Sequence, residues 1–190
     1  MANYSKRIHE IFKLTEKKWL ENAKQVKKIN YLLIAESAPW SNFDDEINYF
    51  YSNLHGNWCQ RILSTFDLNP ESGVDHNLHS LAEKGFLMID TLPIAFTYSE
   101  SSLRNGVFYE LLVNSFGDYW MEKLSNINST WNNDLKVAFA FQVNGKAVMK
   151  MLNYKLLLTG KVNVKLSERM IASDGSGYTN PTKLRRIFNL

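Results

Sequence analysis

Two acidic residues stand directly after continuous apolar runs. Tyr31-Leu32-Leu33-Ile34-Ala35 leads into Glu36, and Gly85-Phe86-Leu87-Met88-Ile89 leads into Asp90. A carboxylate released at the end of a buried run can act as a base, steady a developing cation or accept hydrogen bonds, according to its pKa. It can also simply cap the next helix or bond the N–H groups of a turn. Near these carboxylates in chain order come the aromatic residues Trp40, Phe50 and Tyr51, and later the amides Gln142 and Asn144. A Gly-Ser loop follows, Asp174-Gly175-Ser176-Gly177-Tyr178. Metal chemistry has little to work with. The chain has one cysteine, Cys59, and four histidines with no His-x-x-x-His pair. A structural zinc or an iron–sulfur cluster needs more ligands than that. No cofactor is implied.

The elements that must position these groups follow from hydrophobic periodicity. Residues 5–28 read as an amphipathic helix, with Ile8, Phe12, Trp19, Ala23 and Val26 on one stripe and lysines between them. The apolar runs 31–35 and 85–90 read as strands buried on both faces. Leu135 to Phe141 and Met170 to Ser173 are expected as a third and a fourth, short strand. Helices are expected at 58–66, 77–84 and 102–126, with a short one ending at Leu152. A basic helix begins near Pro181, a residue favoured at the first helical position. Strands alternating with helices imply a mostly parallel four-stranded sheet between helical layers, a three-layer α/β/α sandwich. Ligands on such sheets bind beyond the carboxyl ends of the strands. Segments 36–51, 90–98, 142–146 and 173–180 are expected to meet there. Residues 1–190 are read as one domain, with an N-terminal helix over 1–29 and the α/β core over 30–190.

The net charge of +3 hides an uneven distribution. Residues 1–29 carry eight basic and three acidic side chains, residues 30–135 four and fourteen, and residues 136–190 ten and two. Basic termini around an acidic middle allow one positive face for a polyanion, or simply a solvated surface. No apolar run approaches the ~18 residues of a membrane span. The expected location is the cytoplasm, or the nucleoid if the cell is bacterial.

At the strand ends the sequence resembles the uracil-DNA glycosylase superfamily. Leu33-Ile34-Ala35-Glu36-Ser37-Ala38-Pro39 is similar to that family's first motif, an acidic residue just after a strand and shortly before a proline. Tyr49-Phe50-Tyr51 lies where the family has an aromatic that stacks on the extruded base, and Asp90 where it usually has an asparagine that reads the base. Asp174-Gly175-Ser176-Gly177 looks like a diverged form of its minor-groove loop, followed by the basic Lys183, Arg185 and Arg186. The departures are Ala35 for the usual glycine, Asp90 for the asparagine, and the absence of the last motif's histidine.

The resemblance implies a monofunctional, metal-free DNA glycosylase acting on a damaged or mismatched base. Glu36 would steady the sugar cation or orient water. Phe50, Tyr51, Asp90 and Asn144 would hold the flipped base. Ser176, Gly177, Tyr178, Lys183 and Arg185 would contact DNA. An ionised Asp90 only accepts hydrogen bonds, so it favours an amino-bearing base edge over uracil. The competing readings are a non-catalytic nucleic-acid- or nucleotide-binding module on the same fold, and a hydrolase of small nucleosides.

Overall fold

The computed structural model describes residues 2–39, 49–54, 56–92, 95–96, 110, 114, 119–120, 122–140, 166–173 and 179–190. Three parallel strands form its sheet: β1 (Lys28–Ala35), β3 (Phe86–Asp90) and β5 (Thr130–Phe139), in the order β3-β1-β5. Tyr31 pairs with Phe86 and Ala35 with Asp90 across β1 and β3. On the other side Tyr31 pairs with Lys136 and Ile34 with Phe139. All of β3 and the last four residues of β1 are buried, which explains why both read as unbroken apolar runs. A second, two-stranded parallel sheet joins β2 (Ala38–Pro39) to β4 (Ala95–Phe96) just beyond the strand ends.

The entrance to the sheet is held by polar backbone contacts. Gly85 has φ +80, and its carbonyl accepts the Asn30 and Tyr31 N–H groups at 2.9 and 3.1 Å. A Cβ at Gly85 would lie 2.4 Å from the Lys28 carbonyl, so only glycine lets β3 enter this close to β1. The Asn30 amide donates to the Lys84 carbonyl and accepts from Asn132, which ties β1 to both neighbours at once.

Helix α1 spans Ala2–Ala23 and buries Ile11, Thr15, Trp19 and Ala23, a stripe at four-residue spacing. Helices α2 (Phe50–Asn53), α3 (Gly56–Thr65) and α4 (Val74–Glu83) lie between β2 and β3. Helix α5 (Glu122–Ser125) precedes β5. Helix α6 (Pro181–Phe188) closes the chain, and its start follows the expected signal: Pro181 stands in the first turn and Asn180 caps the Lys183 N–H at 3.0 Å. Tyr31 and Phe86, paired across the sheet, meet Phe66, and Tyr31 also meets Phe188 of α6; this aromatic group seats α3 and α6 on the strands.

Several expectations change. Strand β5 begins five residues before the expected Leu135. The fourth strand is reduced to a parallel bridge, Phe139 to Ile171, followed by an antiparallel bridge between Ser173 and Thr179. Of the long helix expected over 102–126, α5 is the described α-helix of more than one residue; the helix expected before Leu152 lies outside the described residues.

Among the described residues β3 is an edge of this sheet, and two side chains close it. The Met88 carbonyl accepts from Trp19 Nε1 at 2.7 Å, and the Met88 N–H donates to Tyr51 Oη at 2.7 Å. Side chains from α1 and α2 thus satisfy the backbone groups that a neighbouring strand would otherwise take. Tyr51→Phe keeps the ring and leaves the Met88 N–H without its acceptor. A stability loss of about 1–3 kcal/mol is expected in urea unfolding. A loss near zero would mean that the edge is closed by something else.

Candidate functional site

The register that pairs Ala35 with Asp90 brings the backbone of Glu36, one residue beyond the pair, to the end of β3. The backbone after β3 then folds against the residue after β1. The Glu36 carbonyl accepts from the Thr91 and Leu92 N–H groups at 3.1 and 3.0 Å. The Thr91 hydroxyl donates to the Ala35 carbonyl, and Trp120 Nε1 donates to the Thr91 carbonyl at 3.2 Å. Glu36 itself is half-buried at this junction.

Asp90 is 3% exposed. Burial raises its carboxyl pKa from 3.8 to about 6; Lys123 and the Tyr49 hydroxyl pull it down and Glu16 pushes it up. Lys123 is 4% exposed at its side chain and pairs with Glu16 Oε1 at 2.7 Å. Its ammonium donates to Tyr119 Oη at 2.7 Å and lies 4.5 Å from the ring centres of Trp19 and Tyr119. Tyr119 Oη in turn donates to Glu16 at 3.2 Å. Desolvation lowers the Lys123 pKa, and Glu16 and Asp90 act against that. The same burial raises the phenols of Tyr49 and Tyr119. Tyr49 Oη stands close enough to Asp90 to lower its pKa, yet it has no hydrogen-bond partner of normal geometry.

The result is a buried polar group of one ammonium, two carboxyls and two phenols beside the closed edge of β3. A cleft of about 320 Å³ between α1 and α5 opens on Glu16, Trp19, Tyr119 and Lys123. Such a group can hold a proton on Asp90 near neutral pH, where a carboxyl can act either as acid or as base. Among the described residues, no cluster of three or more His, Cys, Asp or Glu could hold a metal ion. Burial raises the Cys59 thiol to about 12, so it is inert as a nucleophile.

The other sequence-predicted residues fare differently. Phe50 is 3% exposed, packed edge-on against Tyr51 and Trp58 and tilted against Phe86. Tyr51 is spent on Met88. Neither ring offers a face to a base in this arrangement. Lys183 donates to the Ser173 carbonyl at 2.9 Å, and Arg185 binds the Thr65 carbonyl and Asp67 at 3.0 and 2.7 Å. Both cations therefore brace α6 against its neighbours. Asn144, Ser176, Gly177 and Tyr178 lie outside the described residues. Thr179, the next described residue, is held at the end of β5: it accepts from Trp58 Nε1 and Arg61 and donates to the Ala140 carbonyl.

Glu16 and Lys123 were missed, yet a signal was present. Glu16 stands four residues after Phe12 and three before Trp19, and Lys123 three after Trp120, so each sits on an apolar helical stripe. A charge on such a stripe is a candidate for a buried pair. In comparisons with known proteins the chain matches no protein family, no curated protein and no solved structure. Among the described residues, no helix is long and apolar enough to cross a membrane.

The raised pKa of Asp90 has a definite sign in stability. Between about pH 4 and 6 the unfolded carboxyl ionises while the folded one keeps its proton, so stability falls as pH rises through that window. The penalty above pH 6 is on the order of 3 kcal/mol. Asp90→Asn removes the ionisation and is expected to raise stability at pH 8 while changing it little at pH 4. Urea unfolding at the two pH values tests this; a destabilised variant at pH 8 would show that the ionised carboxylate is a net stabiliser.

Proposed function

We propose that the chain is a diverged, metal-free member of the uracil-DNA glycosylase superfamily. It hydrolyses the N-glycosidic bond of a damaged or mismatched base flipped out of DNA. The observation that carries the reading is the placement of Glu36 and Asp90 at adjoining carboxyl ends of parallel strands, with Asp90 holding its proton up to about pH 6. The proposal includes a fourth strand at the Phe139–Ile171 bridge and a three-layer sandwich, of which the parallel three-stranded sheet is the described part.

In this reading Glu36, half-buried and facing less desolvation, steadies positive charge on the sugar or orients water. Asp90 reads the base. Ionised above pH 6 it accepts from an amino group; protonated below pH 6 it donates to a carbonyl. Base choice therefore depends on pH. The rings of Phe50 and Tyr51 are enclosed in this arrangement, so the proposal rests no base on them.

One set of observations favours the alternative, a non-catalytic nucleic-acid-binding module on the same fold. Asp90 is nearly inaccessible, enclosed beside Lys123, Tyr49 and Glu16, so in this arrangement it does not meet a flipped base. A single experiment separates the two. The protein is incubated with oligonucleotides carrying uracil, hypoxanthine, xanthine, alkylated or mismatched bases, and abasic sites are measured. Expected are abasic sites on at least one amino-bearing base at pH 7.5. Glu36→Gln should lower the rate about 10²–10⁴-fold. Asp90→Asn, which restores an amide donor, should shift preference toward uracil. Salt-sensitive binding without any abasic site would leave only the binding module.

A further inference from the structure

The outer edge of β5 carries a groove that the strand-end chemistry does not use. It measures about 790 Å³ and is lined by Asn133 and Lys136 of β5, Ser167 and Arg169 of the segment before the Ile171 bridge, and Arg186 and Ile187 of α6. Among the described residues, β5 is bridged on this side only at Phe139, so its backbone from 133 to 137 forms one wall. The charges are one-sided. Asp134, the acidic lining residue, is already paired with Lys136 at 2.7 Å. Among the described residues, Arg169 and Arg186 form no ion pair, and both are exposed. They differ in this from Lys183 and Arg185, which are tied to Ser173, Thr65 and Asp67.

We infer that this groove is a docking site for the sugar-phosphate backbone of a nucleic acid, with Arg169 and Arg186 as its phosphate contacts. An arginine fork matches two phosphate oxygens at once, and its hydration is weak enough to give up. Asn133 and Ser167 supply polar side chains along the same wall. A ligand with a single negative charge would occupy one of the two arginines; a chain of phosphates meets both in succession.

The groove lies beside the body of β5. Lys136 pairs with Tyr31, four residues before Ala35 along β1. At ~3.3 Å per residue that sets it roughly 13 Å back from the strand ends. The inference shares the partner class of the proposed function but not its chemistry: binding through this groove without abasic sites removes the glycosidic reaction and leaves the groove standing.

The test is fluorescence anisotropy with a labelled 20-nucleotide single strand and the matching duplex, at 50 and 200 mM salt, with a poly-glutamate peptide as competitor. The wild-type protein should bind one or both nucleic acids, more weakly at the higher salt. R169A/R186A should lose at least about tenfold in affinity at 50 mM and flatten the salt dependence by about two phosphate contacts. K13A/K24A, which removes equal charge from exposed positions on α1 and in the turn after it, should stay within about twofold of wild type. Matching melting temperatures confirm that both variants are folded. The inference is overturned if the wild type binds neither nucleic acid, if R169A/R186A binds like wild type, if K13A/K24A loses as much, or if poly-glutamate binds as tightly as the oligonucleotides.

Discussion

A carboxyl buried at the end of an edge strand constrains everything around it. Asp90 cannot be solvated, so its charge must be held by proton or partner, and the fold supplies both. Lys123 attracts it from α5, Glu16 on α1 claims that lysine at 2.7 Å, and the Trp19 and Tyr119 rings cradle the ammonium. Helices far apart in sequence are joined to the strand end through this one group. Its geometry depends on α1 lying where it does. That position is fixed by the same helix, since Trp19 also closes the Met88 carbonyl of β3.

Closure of the β3 edge and tuning of Asp90 are therefore one construction. Trp19 gives its N–H to the strand and its ring face to Lys123. Tyr51 serves Met88, and its neighbour Tyr49 stands beside Asp90. A buried ion pair of this kind is weak support for stability, because desolvation offsets most of the attraction. Its value lies in specifying where Asp90 sits and at what pH it ionises. A raised carboxyl pKa that lowers stability above pH 6 is the pattern expected where a site is kept for function.

Much of the fold was legible. Strands β1 and β3 and helix α6 follow from apolar runs and from the Asn180-Pro181 cap. Strand β5 was read five residues short because Thr130 to Asp134 lies at the exposed start of the strand, where alternation carries no apolar signal. The fourth strand shrank to a bridge because the chain turns at Ser173 to meet Thr179. The site was legible in part. Glu36 and Asp90 stand where strand ends were expected, but sequence order could not show that Phe50 would be enclosed by Trp58 and Phe86. Nor could it separate the braced Arg185 from its exposed neighbour Arg186, since adjacent helical residues point about 100° apart and only packing decides which finds a carboxylate.

The most direct measurement is the titration of Asp90 itself, followed by the carboxyl carbon-13 resonance of the folded protein from pH 3 to 9. Burial beside Lys123 and Glu16 sets an expected midpoint of about 6. A midpoint at or below the ordinary 3.8 would mean that Asp90 is solvated or firmly salt-bridged. The strand-end site would then lose the change from donor to acceptor near pH 6 on which the proposed pH-dependent base choice rests.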